Sequence, residues 1–464
     1  MRERALALLV LASCSLAPKY ERPASPISEA GPAATTGARN AELGWRQVFT
    51  DPRLQELIRI ALANNRDLRI ASLNVELVRA QYRIARSPLF PTVGASAAAD
   101  ITGTKDDASV LYRAGVGITS YELDLFGRVR NAKAQALEEY FATESAQRAA
   151  HLALVSEVAT QYLRLLAFDE QRVIAEQALE TRKKFSEITA RLVEAGQRSD
   201  LEVRTAEAQV HAARAEISRL ARAKAQADHA LAVLVGRALS SPGPGVNPGP
   251  SIPAELPTGK PLDAQGVVAD VPAGVTSQVL LRRPDVLAAE HVLKGANYSI
   301  GAARAAFFPT ISLTGLAGFA STALSNLFTA GAFGWSFTPQ VSVPLFTGGN
   351  NSANLDAAKV RKRIEIARYE QAIQVAFREV ADALVARESL DAQLEAQTAR
   401  ATAEQKRYEI SEARYRSGIE SYLSVLSAQQ DLYATQQQLV ELRFSRLANL
   451  AELYRALGGG WRER

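Results

Sequence analysis

Four short segments of the chain alternate apolar with small or polar residues. In the clearest of them, Phe333, Trp335 and Phe337 alternate with Gly334 and Ser336. Such period-two alternation over about ten residues, with aromatic residues near the ends, is typical of strands that span an outer membrane. A soluble hairpin packed on a helix would show a similar pattern, so both interpretations stay open at this point. The predicted strands are residues 92–101, 110–121, 310–320 and 333–345.

Long segments without glycine or proline follow each pair of alternating segments. Apolar residues recur in them with heptad spacing; Leu426, Tyr433 and Val440, for example, are each seven residues apart. This spacing is typical of helices that pack side by side in a coiled coil. Helices of this length also form exposed rods, and that alternative stays open. The predicted helices are residues 128–195, 197–236, 352–417 and 419–457.

The chain contains the same pattern twice. "LFPTVGASAAAD" at Leu89–Asp100 resembles "FFPTISLTGLAG" at Phe307–Gly318. A self-similarity of this length indicates a duplicated structural unit, here a strand, a loop, a strand and two long helices separated by a glycine. Further along, Phe126, Gly196, Leu201 and Gly236 correspond to Phe346, Gly418, Leu423 and Gly458. The predicted organisation is a first repeat at 45–236, a Pro/Gly-rich linker at 237–262, a second repeat at 263–458 and a tail at 459–464.

The composition argues against an enzyme, a metalloprotein or a nucleic-acid-binding protein. The net charge of +5 is spread over 464 residues, without a basic block interleaved with aromatic residues. A single cysteine excludes an intramolecular disulfide and a cysteine-based metal site. No phosphate-binding loop, nucleophile elbow or HExxH pattern occurs. The four histidines, which show no metal-ligand spacing, are His151, His211, His229 and His291. The sequence therefore predicts no catalytic residues and no cofactor.

The N-terminus, "MRERALALLVLASCS", has the order of a secretory signal. Arg2 and Arg4 precede a short apolar run and small residues around Cys14. The run is too short for a membrane-spanning helix, which needs about 20 apolar residues. "LASC" resembles the bacterial lipobox; the alternative is a chance match within an apolar leader. We predict a signal peptide at 1–13, lipidation of Cys14 and a lipid-anchored linker at 14–44, with Ser15 favouring the outer membrane.

Four strands are too few to close a membrane barrel, because the smallest barrels have eight. Open strand edges in lipid would leave backbone groups unpaired, each at a cost of about several kcal/mol. If the strands span a membrane, several chains must therefore combine them. Two chains would give eight strands with a filled interior, whereas three would give twelve strands and room for a channel.

Several longer stretches resemble the TolC/OprM family of outer-membrane efflux channels. They include "RRPDVLAAEHVLKGANYSIGAARAAFFPTISLTGLAGF", "VPLFTGGNNSANL" and "RYRSGIESYLSVLSAQQDLY", and the match extends from about Trp45 to Gly458. "RRPD" at Arg282–Asp285 and "APKYERP" after Cys14 resemble the lipoprotein, NodT-like branch that serves RND-type pumps. For the fold, the resemblance implies a mixed α/β membrane protein. It would be a homotrimer with a 12-stranded barrel in the outer membrane and an α-helical tunnel across the periplasm.

The same resemblance implies the function of a passive exit duct for small molecules such as drugs. The partners it implies are a periplasmic adaptor protein and an inner-membrane RND-type pump, and the location is the bacterial outer membrane. A type I protein secretion channel and a periplasmic coiled-coil lipoprotein without a channel are the alternatives. The lipobox and "RRPD" argue against the secretion channel. The loops Gly103–Val110 and Ser321–Ala332 are expected to face the cell exterior.

In this family the periplasmic tip closes the duct, and the expected tip residues flank Gly196 and Gly418. Helix reversals are predicted at these two glycines, where a positive φ disfavours any residue with a Cβ. Aligned on the glycines, Tyr415 matches the family's tyrosine and Glu202 matches an acidic partner. Glu420, however, stands where TolC has an arginine.

Ser424 and Ser427 also replace two aspartates of TolC, so the TolC contacts are not expected at this tip. A different set of contacts among charged residues would then close it, with a solvated helix-turn surface as the alternative. The residues of this predicted set are Arg198, Asp200, Arg416 and Glu420.

Overall fold

The four alternating segments form one antiparallel sheet in the computed structural model, which describes residues 15–27, 44–104, 108–197, 199–237, 256–266 and 280–459. The four predicted strands are therefore confirmed. β4 ends at Ser342 rather than at residue 345, because Ser342 pairs with Thr310, the first residue of β3, and no strand residue lies opposite Val343. The strands pair in chain order as β1 Val93–Gly103, β2 Ala108–Leu123, β3 Thr310–Ser321 and β4 Phe333–Ser342.

Some predicted features lie outside the described residues. They are the signal peptide at 1–13, Cys14, residues 28–43 of the lipid-anchored linker, residues 105–107 of the first loop, Arg198, residues 238–255 of the Pro/Gly-rich linker, residues 267–279 of the second repeat and the end of the tail at 460–464.

Glycines allow β2 and β3 to pair closely at the centre of the sheet. Gly115 lies opposite Gly318, and Gly117 lies opposite Leu316. A Cβ atom at residue 117 would come within 2.1 Å of the carbonyl oxygen of Gly315. Because backbone atoms cannot yield as a flexible side chain can, a larger residue does not fit at this position.

The Gly- and Pro-free segments form very long helices of equal length in the two repeats. α4 (Arg128–Glu194) and α7 (Asn350–Arg416) each contain 67 residues. α5 (Asp200–Leu234) and α8 (Tyr422–Ala456) each contain 35 residues. The predicted long helices are thus confirmed, and no helix among the described residues is both long and apolar enough to cross a membrane.

Four shorter helices were missed in the sequence. They are α1 (Trp45–Val48), α2 (Pro52–Asn64), α3 (Arg66–Arg86) and α6 (Pro284–Ala305). The start of α2 does carry a local signal, because Asp51 precedes a proline at the first helical position. The Asp51 carboxylate accepts hydrogen bonds from the backbone N–H groups of Arg53 and Leu54, as a residue at the N-cap of a helix commonly does.

The chain divides into two compact units, and each unit takes segments from both sequence repeats. Unit 1 comprises Met1–Pro26, Ser72–Ala146 and Asp285–Ala372, and it includes the sheet. Unit 2 comprises Ile27–Ala71, Gln147–Pro284 and Ile373–Arg464.

Buried Asp51 fastens the segment 256–266 to the core of unit 2. Its carboxylate accepts hydrogen bonds from the Tyr162 hydroxyl at 2.9 Å, the Lys260 backbone N–H at 3.0 Å and the Gln265 amide at 2.6 Å. Burial alone would raise the pKa of Asp51, but these hydrogen bonds lower it below its ordinary value. The carboxylate is therefore charged at neutral pH and accepts several donors at once. A buried apolar cluster that contains Phe49, Ile58 and Tyr162 lies around it.

Candidate functional site

The sheet exposes large apolar side chains along one edge strand. Every residue of β4 is exposed, and Trp335, with 76% of its surface accessible, is the most exposed of its aromatic residues. Phe333 and Phe337, two residues to either side, lie on the same face because side chains of a strand alternate between faces. Pro339 also belongs to β4, which fits an edge strand because proline cannot donate a hydrogen bond to a second neighbour. Among the residues that the structure describes, β1 and β4 each pair on one side only.

The long helices of each repeat reverse direction at a glycine with the same backbone geometry. Gly196 has a φ of 71° and Gly418 a φ of 74°. At the first reversal, Gly196 donates to the carbonyl of Val193 and Gln197 to that of Leu192. The second reversal has equivalent bonds to the carbonyls three and five residues earlier. This pair of bonds is the Schellman motif, which favours glycine at the residue in the left-handed conformation.

Three aromatic side chains pack together near the reversals, within unit 2. Phe185 lies 5.9 Å from Tyr415 and 6.0 Å from Tyr422, measured between ring centroids. Ala206 and Val425 complete the buried cluster with these rings. Tyr415, predicted to contact partner chains, is thus buried against its own chain here. Beside the cluster lies a cavity of about 600 Å³, lined by residues of α4 and the end of α7 that include Lys184, Ile188, Arg191, Glu412 and Arg416.

The charged tip residues pair differently from the prediction. Arg416 binds Glu412 at 2.6 Å, and Glu420 binds Arg414 at 3.0 Å, both within one chain. The predicted contact between Arg416 and Glu420 does not occur within the chain; one between chains stays a prediction. The pair Glu412–Arg416 could have been read from the sequence, because residues four apart share a face of a helix, whereas the spacing did not indicate the pair Arg414–Glu420 across the reversal.

The acidic tip residues Asp200 and Glu202 lie in the first turn of α5. A negative charge at this position is stabilised by the positive end of the helix dipole. Asp200 is exposed and lies 4.0 Å from Arg204, whereas Glu202 is half-buried. Their position gives both carboxylates an ordinary structural role beside the predicted one.

Residues Ser15–Pro26, here called the N-terminal strap, run along α6 within unit 1 without regular secondary structure. Arg304 donates a hydrogen bond to the carbonyl of Leu16 at 3.1 Å, and Asn297 donates one to Pro18 at 2.7 Å. The order of these partners shows that the strap runs antiparallel to α6. Gly301 permits the close approach, because a Cβ there would lie 2.7 Å from the backbone nitrogen of Ala17.

Glu290 holds the other half of the strap, and its side chain is only 4% exposed. Arg22 donates to both carboxylate oxygens, at 3.1 and 2.7 Å, and the Tyr20 hydroxyl donates at 3.3 Å. Burial alone would raise the pKa of Glu290, but the Arg22 hydrogen bond and the nearby charge of Lys294 lower it. The carboxylate is therefore charged at neutral pH and forms a bidentate pair with the strap.

The beginning of the strap lies beside the foot of the sheet. The Ser15 hydroxyl donates to the side chain of Asn131 at 2.8 Å. Asn131 belongs to the first turn of α4, which follows β2 after a short connection from Leu123. In that connection, Asp124 accepts hydrogen bonds from the backbone N–H groups of Val129 and Arg130 and so caps the helix. The first described residue of the chain is thus held where the sheet meets the helices.

Comparison with known proteins decides the family. The model of the family described as outer membrane efflux protein matches residues 57–237 and 275–459, so each match covers most of one sequence repeat. The chain belongs to the outer membrane efflux protein family.

Relatives of known name and structure cover nearly the whole chain. The chain is 43% identical to the toluene efflux pump outer membrane protein TtgC of Pseudomonas putida, over 99% of this chain and 95% of that protein. It is 38% identical to the cation efflux system protein CusC of Escherichia coli O157:H7, over 98% of this chain and 97% of that protein. It also matches the open-state structure of the Neisseria gonorrhoeae MtrE outer membrane channel with a TM-score of 0.87 and 42% identity, covering 97% of this chain and 99% of that one.

For this outer membrane efflux protein, two functional features of the structure were not anticipated from the sequence. "APKYERP" indicated only a branch of the family, whereas the structure shows that Arg22 of this stretch binds buried Glu290. "RRPD" likewise indicated only a branch of the family, whereas the structure shows that Arg283 of this motif is buried and binds Glu379 at 2.7 Å. For Arg283, the one available signal was the arginine itself, since a buried arginine usually has an acidic partner. Which acid it would bind could not be read from the spacing.

Proposed function

We propose that this protein is the outer-membrane exit duct of a tripartite efflux system and acts as a homotrimer. The single observation that carries the proposal is the four-stranded sheet, with apolar side chains exposed on β4 and one unpaired side on each edge strand. Three copies that pair β4 of one chain with β1 of the next would leave no open edge in lipid. The twelve strands that result are enough to surround a channel.

The long helices would extend this duct from the membrane into the periplasm. A periplasmic adaptor protein and an inner-membrane RND-type pump are the proposed partners. The proposed cargo is small molecules such as drugs, as for the relatives named for solvent and antibiotic efflux. Transport through a duct requires no bond-making, so the proposal needs no catalytic residue.

The assembly is tested with a charge placed on the apolar face of β4. Trp335→Arg should prevent heat-modifiable, SDS-resistant trimers from forming, because an arginine facing lipid costs about 2–4 kcal/mol at the bilayer midplane. The matched control is Ser336→Arg, since the next residue of a strand points to the opposite face. Purified wild-type trimers should conduct ions in planar bilayers. A wild-type protein that stays monomeric, or trimers without conductance, would contradict the proposal.

We further propose that Cys14 carries the lipid anchor. The proposal is supported by the position of Ser15, which the strap holds at the foot of the sheet. Acyl chains on the preceding residue would enter the membrane next to the strands. Cys14→Ala should abolish incorporation of labelled palmitate, whereas Ser15→Ala should keep it. Labelling that persists in Cys14→Ala would show that the lipid is elsewhere.

We also propose that the tip residues around Gly196 and Gly418 close the duct. If Arg416 and Glu420 of adjacent chains meet there, the double variant Arg416→Gln with Glu420→Gln should raise single-channel conductance and sensitise cells to vancomycin. The pair Arg407–Asp431, also exposed and 2.5 Å apart in α7 and α8, supplies a matched control. Unchanged conductance with intact trimers would place the closure at other residues, such as Glu202 and Tyr415.

The proposed topology places the loops at Gly103–Val110 and Ser321–Ala332 outside the cell. They join the two strands of each pair at the end opposite the helices. An epitope inserted after Leu324, which is 62% exposed, should be reached by antibody on intact cells. An epitope that is reached only after the outer membrane is permeabilised would invert the topology.

A further inference from the structure

Arg182 of α4 is a buried cation without an acidic partner among the described residues. Only 8% of its surface is accessible. Its guanidinium donates one hydrogen bond, at 3.2 Å, to the backbone carbonyl of Gln209 in α5. It also lies 5.6 Å from the ring centre of Tyr433 in α8. Its Nε has no acceptor in the part of the chain that the structure describes.

This arrangement is unfavourable for stability. Moving a charge out of water is costly, and an ion pair that would offset the cost is missing here. Burial lowers the pKa of Arg182 below the ordinary value for arginine, and the neighbouring Tyr433 and Tyr422 oppose this shift only in part. An apolar side chain of similar volume would fill the same space without the desolvation cost. Stability alone therefore does not explain why an arginine occupies this position.

Tyr433 lies between two charged groups from two other helices. Its ring faces the Arg182 guanidinium of α4, and its hydroxyl side lies near the Glu216 carboxylate of α5. Burial and this carboxylate raise the pKa of Tyr433 to about 12, so the tyrosine is neutral. Glu216 is itself held by Arg219 at 2.7 Å. The three helices thus meet at one polar layer.

Tyr433 lies in the row of heptad-spaced residues of α8, here called its seam, and its neighbours in that row are apolar. Leu426 and Val440, one heptad to either side, are both buried and apolar. A shift of α8 by one heptad, about 10 Å, would exchange one apolar seam residue for another and lose little packing. It would, however, place an aliphatic side chain against Arg182 and leave the cation with even fewer partners. The apolar seam alone does not select the register, whereas polar contacts between α4 and α8 do, and this layer is one of them beside the pairs Arg164–Glu441 and Arg443–Glu170.

We propose that Arg182 is a positioning residue that fixes the axial register of α8 against α4 and α5, and that it does so at a cost in stability. The aromatic cluster at the tip depends on this register, because Phe185 is one turn from Arg182 and packs on Tyr422 of α8. In the proposed duct, the register would set the closed position of the tip, and this part of the inference rests on the proposed function. A single polar residue in an otherwise apolar seam specifies register in the same way in coiled coils.

The register can be measured without any transport assay. Gln437 of α8 donates to the carbonyl of Gln171 in α4 at 3.0 Å, so these positions are adjacent in the native register. In a Cys14→Ala background, the pair Gln171→Cys with Gln437→Cys reports the native register. The pair Gln171→Cys with Gln430→Cys reports a shift by one heptad. Disulfide formation in each pair, measured on SDS gels, gives the population of each register.

Arg182→Met is the decisive variant, because methionine is apolar and unbranched. We expect its thermal denaturation midpoint to equal or exceed that of wild type, while disulfide formation in the shifted pair rises several-fold. Arg182→Lys keeps the charge and should retain the native pattern. Tyr433→Leu should reproduce Arg182→Met, and the double variant should show no added effect because both changes remove the same contact.

The outcomes separate the inference from the function on which it partly rests. A native disulfide pattern in Arg182→Met, or a large fall in its denaturation midpoint, would overturn the positioning role. If the shifted pair forms but conductance of Arg182→Met trimers stays at the wild-type level, the register role holds and its link to tip closure fails. Absence of conductance in wild-type trimers would contradict the proposed duct and leave the register result standing.

Discussion

The two repeats end in the same backbone geometry but stabilise it with different chemistry. In the first repeat, α5 ends near Gly236, which has a φ of 76°, and the Asn65 amide donates to the carbonyl of Leu234 at 2.9 Å. In the second repeat, α8 ends near Gly458, with a φ of 81°, and Arg283 donates to the carbonyl of Ala456 at 2.7 Å. Asn65 and Arg283 each directly precede the short helix that leads to a strand pair. A neutral amide in the first repeat and a buried cation in the second thus bind backbone carbonyl groups at the ends of equivalent helices.

Arg283, the cation of the second repeat, belongs to a network of charged side chains that the described part of the first repeat lacks. Arg283 binds Glu379 of α7, which in turn binds Arg455 of α8 at 3.3 Å. A hydrogen bond to Glu452 is the main cause that raises the pKa of Arg455, so this residue stays charged at any physiological pH. Glu157, which corresponds to Glu379 in the first repeat, is exposed. The two repeats therefore share the backbone geometry of this helix end, while only the second binds it with a charged side chain.

The largest effect is expected from removal of the cation. Arg283→Ala should lower the free energy of unfolding by about 3–5 kcal/mol, because it empties the buried space of the arginine, removes the donor to the Ala456 carbonyl and leaves Glu379 with Arg455 alone. Chemical denaturation of the detergent-solubilised protein would measure this. The exposed neighbour offers a control, and Arg282→Ala should stay within about 0.5 kcal/mol of wild type. Equal losses in both variants would show that the pairing of Arg283 is not what matters.

The glycines at the two helix ends should differ when each is replaced by alanine. A Cβ at Gly236 would lie 2.4 Å from the backbone oxygen of Asn64, whereas at Gly458 the nearest atom is the flexible Arg283 Cγ at 3.2 Å. Both variants carry about 1–2 kcal/mol of strain from the positive φ. Gly236→Ala should lose about 2–4 kcal/mol in total, since overpacking adds to the strain. Denaturation midpoints in the reverse order would contradict this account.

A smaller loss is expected for the amide of the first repeat. Asn65 donates to Leu234, and its side-chain oxygen accepts from the backbone N–H of Leu68 at 2.9 Å. Asn65→Ala removes one buried hydrogen bond and one helix cap, together about 1–2 kcal/mol. The same denaturation series would place it below Arg283→Ala. Should the two variants prove equally unstable, the charge of the second repeat would add nothing beyond the shared hydrogen bond.

The smallest effects are expected at the two helix reversals, where the repeats agree most closely. No atom lies within 4 Å of a Cβ built on Gly196 or on Gly418, and their φ values are nearly equal. Gly196→Ala and Gly418→Ala should therefore each lose about 1 kcal/mol, from backbone strain alone. A clearly larger loss at one reversal would indicate a contact made there in the trimer.

The long helices and the strands of this protein could be predicted from the sequence. Alternation with a period of two predicts strands, and a run of residues without glycine or proline predicts a long helix, because both signals depend only on neighbours along the chain. The glycines at the reversals and the duplication could be read for the same reason. The shorter helices such as α6 were missed, although Pro284 marks its first position.

Contacts between side chains that are far apart in the sequence became known from the fold. Arg22 binds Glu290, which is 268 residues away, and Arg283 binds Glu379, which is 96 residues away. Nothing in the local sequence identifies either partner. At the tip, the pair Arg414–Glu420 joins residues on the two sides of the helix reversal and was not read from the sequence either. The physical reason is that the partner of a charge depends on how helices rotate and slide against one another. Local spacing leaves these two variables open, and packing sets them.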